Sequence, residues 1–139
     1  MSISGASSNI TKSSNSIDIY QGESQDLDLS IVQEVKDVND VLVEEPVDLT
    51  GSVIYFSVRT KASSPDLLIS KISSNILDVE IPSPLTDGLA IIHLASDDTK
   101  NMAAGEYVFD VWIVLSSGKK VPVVEVSEFL VKEAVTKLP

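Results

Sequence analysis

The sequence contains no cysteine and only one histidine in its 139 residues. No disulfide can form, no thiolate can ligate a metal or attack a substrate, and zinc sites of the His-rich kind are excluded. Aromatic residues are scarce, at three Tyr, three Phe and one Trp, so a core has to come from Val, Ile and Leu, which favours strands. Positive charge is in short supply too: 10 Lys and Arg stand against 21 Asp and Glu, a formal net charge of -11. Such a surface repels phosphate backbones and anionic bilayers, so neither nucleic acid nor membrane is expected as a partner. No apolar run is long enough to span a bilayer as a helix. The opening residues, Met1 to Asn9, carry neither the basic nor the apolar stretch of a secretion signal, so synthesis and residence in a cytoplasm are expected.

What the chain does have is alternation. From Tyr107 to Leu115, Tyr107, Phe109, Val111, Ile113 and Leu115 alternate with Val108, Asp110, Trp112 and Val114. A period of two predicts a strand, and apolar residues in both sets predict a central one. Asp110 is the exception and needs solvent or a donor. Tyr107 stands two residues after Gly105 and two before Phe109, the spacing of a tyrosine corner, in which the hydroxyl bonds back to the backbone at the turn entering a strand. Phe109 then occupies the place of an antibody-domain cysteine. An ordinary hairpin tyrosine is the alternative.

The rest of the chain reads as short strands between turns. Residues 1–16 are Ser-rich, with Ile3 and Ile10 among the few large apolar side chains, and are expected to be a flexible N-terminal arm that orders against a neighbouring subunit by strand addition. The sandwich domain spans 17–136, with a tail at 137–139. Ile17 to Ile31 is a strand interrupted at Gly22, or one that changes sheets. Residues 33–46 form an acidic insertion, a protruding hairpin or loop. Ile54, Phe56 and Val58 should face the core, with Tyr55 outward. Further short strands follow near Leu67–Ile72, Leu77–Ile81, Leu89–Leu94, Lys120–Val126 and Glu128–Val131, with Pro122 and Ser127 marking an edge or a bulge and a helical turn at Asp97–Met102. The sum is an all-β, immunoglobulin-like β-sandwich of seven or eight antiparallel strands.

No catalytic constellation is visible: there is no nucleophile elbow and no phosphate-binding loop, and the lone His93 sits on a strand. Asp78/Glu80 and Asp97/Asp98 could pair as acid and base, and Asp37/Asn39/Asp40 or Asp97/Asp98 could serve calcium. In so acidic a chain both are weaker readings than a solvated surface. No catalytic residue, metal ligand or cofactor is expected. Tyr55 and Trp112, on one outward face, form either an interaction patch or a pair covered by a loop.

The order of the pieces resembles small tailed-bacteriophage virion proteins. Asp48-Leu49-Thr50-Gly51 before Val53–Arg59, then Asp87-Gly88-Leu89-Ala90-Ile91-Ile92-His93-Leu94, Asp98-Thr99 and Ala104-Gly105-Glu106-Tyr107-Val108-Phe109-Asp110-Val111 carry the likeness. It closes with the hairpin at Gly118 and the strand Phe129-Leu130-Val131, and is similar to the N-terminal domain of siphophage baseplate upper proteins. The resemblance covers roughly residues 17–136; the acidic insertion and the arm depart from it. It implies a non-enzymatic structural role on a virion (tail, neck, baseplate or a decoration of the capsid surface), with other phage structural proteins or a second copy as partner. Binding is expected through the uncovered sheet edges and the N-terminal arm, with Ile3, Ile10, Tyr55 and Trp112 as contacts. The competing class is a carbohydrate- or receptor-binding adhesin.

Overall fold

The computed structural model describes residues 10, 11 and 15–138. The strands in chain order are β1 (Ile17–Tyr20), β2 (Gln25–Ser30), β3 (Val32–Lys36), β4 (Leu42–Pro46), β5 (Val53–Arg59), β6 (Ile69–Ile72), β7 (Val79–Glu80), β8 (Leu89–Leu94), β9 (Gly105–Val114) and β10 (Lys120–Lys132), with one short helix, α1 (Ser96–Thr99). A five-stranded sheet runs β1-β10-β9-β5-β6 and a three-stranded sheet runs β2-β8-β7; β3 and β4 form a separate ribbon. The two main sheets close over one core of Val, Ile, Leu and Phe. This is an immunoglobulin-like β-sandwich: the chain leaves one sheet after β1, enters the other at β2, and returns so that β5 and β9 lie side by side at the centre.

Local chemistry explains the elements. In β5, Ile54, Phe56 and Val58 are fully buried while Tyr55 is outside; in β9, Phe109, Val111 and Ile113 are buried. The sheet change falls at Gln21-Gly22, where Gly22 has φ +79°. Asp48 Oδ1 accepts the Thr50 N–H at 2.9 Å and its hydroxyl at 2.6 Å, fixing the turn into β5. Gly88 is required on two counts: its φ is +68°, and a Cβ there would lie 2.5 Å from the Ile31 carbonyl.

Three expectations are corrected. The sandwich is not wholly antiparallel, because β1 pairs parallel with β10, Ile17 opposite Phe129. β10 is one 13-residue strand where two were expected; of the edge and the bulge offered for Pro122 and Ser127, the bulge is found, at register shifts that let both Val123 and Val124 be buried. Ile10 is no free contact residue of an arm: it is 5% exposed, bridges Gln33 of the same chain, and joins the core. The next N–H, that of Thr11, bonds Val32 O at 2.9 Å. One extended Ile among serines has no periodicity to betray it, yet a single ladder step along β3 turns its side chain inward. The remainder of the expected arm, Ile3 included, lies outside the described residues.

Candidate interaction face

The outward surface of the five-stranded sheet carries the exposed aromatics. Tyr55 and Trp112 are direct cross-strand partners on β5 and β9, and Pro122 of β10 is opposite Trp112 on the other side. Tyr55 is 41% exposed and Trp112 40%, so among the described residues no loop covers them. The Trp112 indole N–H donates to Asp110 Oδ2 at 3.0 Å, which gives the outlying Asp110 its donor and holds the ring against the sheet. With Ser57, Val114 and Lys120 these residues line a shallow depression of about 330 Å³. An ordered, half-exposed pair of rings on a rigid sheet offers apolar area at little entropic cost, the composition of an interface anchor.

The tyrosine corner is in place at the start of β9, on the inner side of the same sheet. The Tyr107 hydroxyl donates to Ala103 O at 2.6 Å, and Gly105, with φ +155° and no atom within 4 Å of where a Cβ would stand, opens β9 opposite Val131. The bond ties the turn before β9 to the strand. Tyr107→Phe should therefore lower unfolding free energy by about 1 kcal/mol, measured by urea titration. The exposed Ala103 carbonyl can turn to water in the variant, which keeps the cost modest.

Most of the remaining candidate groups are engaged within the chain. His93, on β8, places Nδ1 2.7 Å from Asp26 Oδ1 of β2 and Nε2 3.2 Å from Glu80 Oε1 of β7, so one imidazole spans the three-stranded sheet. The Asp26 hydrogen bond is the chief cause of a pKa raised above the usual histidine value; partial burial opposes it and Glu80 adds to it. A raised folded pKa means stability that is fully present below about pH 6.5 and disappears as pH climbs through the folded value. The stability advantage of the native chain over His93→Gln should accordingly be larger at pH 5.5 than at pH 8.5 in parallel urea titrations. Equal differences at both pH values would refute the clasp.

Asp78 and Glu80 do not form an acid–base pair: Asp78 lies 3.8 Å from Lys71 Nζ, whereas Glu80 belongs to His93. Asp98 caps the Ala95 N–H at 2.7 Å and pairs with Lys71 Nζ at 2.8 Å. Asp37 Oδ1 accepts the N–H groups of Asn39 and Val41, and Asp40 pairs with Lys36, so this loop spends its carboxylates on its own turn. Among the described residues no group of three or more His, Asp and Glu is arranged to hold a metal ion. Lys71, buried in the interior at 7% exposure, is the charged residue that sequence reading missed. Its signal was its register: it alternates with Ile69 on the core side of β6.

No protein-family model matches the sequence, and no curated protein matches it. Among solved structures, the fold is similar to Clostridium thermocellum CbhA fibronectin(III)-like modules, with 16% identity over 91% of this chain and 98% of that one, at a TM-score of 0.36. It is also similar to murine CRIg, with 19% identity over 88% of this chain and 98% of that one, at the same TM-score of 0.36. The strand order and the corner bond of the chain itself are what make it an immunoglobulin-like β-sandwich.

Proposed function

We propose that the chain is a non-enzymatic assembly module, a structural component of a bacteriophage particle that binds neighbouring virion proteins through the Tyr55–Trp112 face. The observation that carries the binding role is this pair of half-exposed rings, set side by side on a regular sheet. The virion setting rests on the resemblance of the sequence to tailed-phage proteins. Carboxylates already committed to internal partners leave the surface with recognition chemistry rather than catalytic chemistry.

Purified particles from a strain carrying the gene in its genomic setting should contain the chain by immunoblot. Tyr55→Ser/Trp112→Ser should be lost from the particles while costing the isolated protein no more than about 1 kcal/mol, since both positions are at the surface. A chain absent from particles refutes the virion role; a double variant retained in full refutes the face. A second reading, a sugar-binding adhesin, is favoured by the same depression, where two aromatic rings lie beside Asp110 and Lys120. Glycan-array binding that disappears in Trp112→Ser would select it.

A further inference from the structure

The ribbon of β3 and β4 is hydrogen-bonded into neither main sheet, and among the described residues the other bridge it makes is the single Ile10–Gln33 bridge on the β3 side. Every residue of β4 is exposed. The Asp37 N–H bonds Val41 O at 2.9 Å, so the alternation of an antiparallel ladder turns the peptide groups of Val43 and Glu45 toward β3. Those of Leu42 and Glu44 point the other way, along an edge that is free among the described residues. Both faces are mixed. On one, Val35 is the partner of Val43 and Gln33 of Glu45. On the other, Lys36 is opposite Leu42, and Glu34 and Glu44 stand directly opposite each other, a like-charge pairing that destabilises a ladder. The one cation of the ribbon, Lys36, is paired with Asp40 at 3.3 Å. A two-stranded ribbon is marginal by itself, and this one also leaves Val38, Val41 and Leu42 more than half exposed.

We infer that the free edge of β4 is a docking strand for an extended, basic segment of another protein. The segment adds as a third strand, bonding the backbone of Leu42 and Glu44. Its side chains alternate: Lys or Arg beside Glu44 on one face, an apolar group beside Val43 on the other. Charge complementarity selects this occupant. A second copy of the chain, with its net charge of -11, would bring a further acidic strand against Glu44. The inference uses no residue of the Tyr55–Trp112 face and stands whether or not that face binds.

The test uses the full chain labelled with nitrogen-15 and two synthetic nine-residue probes, one alternating Lys with Val and one alternating Glu with Val. The Lys/Val peptide should slow amide exchange at Leu42 and Glu44 by about tenfold or more, as expected when an exposed edge becomes a paired strand. The Glu/Val peptide should leave both unchanged. Glu44→Lys should weaken binding of the Lys/Val peptide by at least about tenfold while pairing with Glu34 across the ribbon. Leu42→Pro, which removes an edge donor at a position where proline is tolerated, should abolish the protection at Glu44. Should Leu42→Pro disturb the Val35–Val43 pairing, Glu44→Lys decides alone. The inference is overturned if exchange at Leu42 and Glu44 does not respond, if both peptides act equally, if Glu44→Lys binds as well as the native chain, or if the peptide perturbs only the Trp112 indole.

Discussion

Lys71→Ala should lower the unfolding free energy by about 3–5 kcal/mol. Lys71 projects from β6 into the interior, with its side chain 9% exposed, and its ammonium lies 2.8 Å from Asp98 Oδ2 and 3.8 Å from Asp78 Oδ1. The two carboxylates come from the segments on either side of β7 and β8, so the cation links the five-stranded sheet to the chain that builds the other one. Both carboxylates are mostly buried, at 21% and 23% exposure. Truncation leaves them close together with no counter-charge, and the cost is that of an uncompensated charge more than that of a lost attraction. Out of a total stability of about 5–15 kcal/mol, this is a large share. The melting temperature should fall by about 10–15 °C in calorimetry. Lys71→Met with Asp78→Asn and Asp98→Asn should recover most of the loss, because the neutral triple no longer buries unpaired charge. A single variant within about 1 kcal/mol of the native chain would show that water, not Lys71, compensates the carboxylates.

Phe129→Ala is the second large effect, with an expected loss of about 3–5 kcal/mol. All three phenylalanines of the chain meet in the core: ring centroids are 5.6 Å apart for Phe56 and Phe109, 6.5 Å for Phe56 and Phe129, and 6.3 Å for Phe109 and Phe129. Phe129 and Phe56 are fully buried. The three rings come from β5, β9 and β10, adjacent strands of the five-stranded sheet, and cover the middle of its inner face. Phe129→Leu should cost far less, about 1 kcal/mol, since most of the volume is kept. Urea titrations of the two variants separate cavity formation from loss of ring-to-ring geometry. Equal losses would mean that the aromatic contacts, and not the filled volume, stabilise the centre. Phe56 is opposite Lys71 across β5 and β6, so Phe56 variants should be non-additive with Lys71→Ala.

The parts of this molecule that were legible in the sequence are those set by near neighbours in the chain. Period two placed Ile54, Phe56 and Val58 inside and Tyr55 outside, and the two-residue offsets among Gly105, Tyr107 and Phe109 pointed to the hydroxyl–carbonyl bond at Ala103. A glycine between two alternating runs marked the place where β1 gives way to β2 in the other sheet. What escaped depends on residues far apart. The register of Lys71 with Ile69 points it inward, but its counter-charge is invisible until Asp98, on the other side of β7 and β8, is folded against it. Ile10 looked solvated because its burial comes from β3, more than twenty residues on. The parallel pairing of β1 with β10 joins opposite ends of the domain and leaves no local trace. At the candidate face, exposure of Tyr55 and Trp112 could be read only as one of two options, because a covering loop is a tertiary fact.

Trp112 is the only tryptophan in the chain, so it reports on the proposed surface without ambiguity. The decisive measurement is a fluorine NMR spectrum of full-length protein carrying 5-fluorotryptophan, recorded alone and after addition to particles made without the chain. The account expects the labelled protein to sediment with the particles and its single resonance to broaden and leave its free position. Sedimentation with that resonance unmoved would place the contact elsewhere on the molecule, and failure to sediment would contradict the assembly role itself.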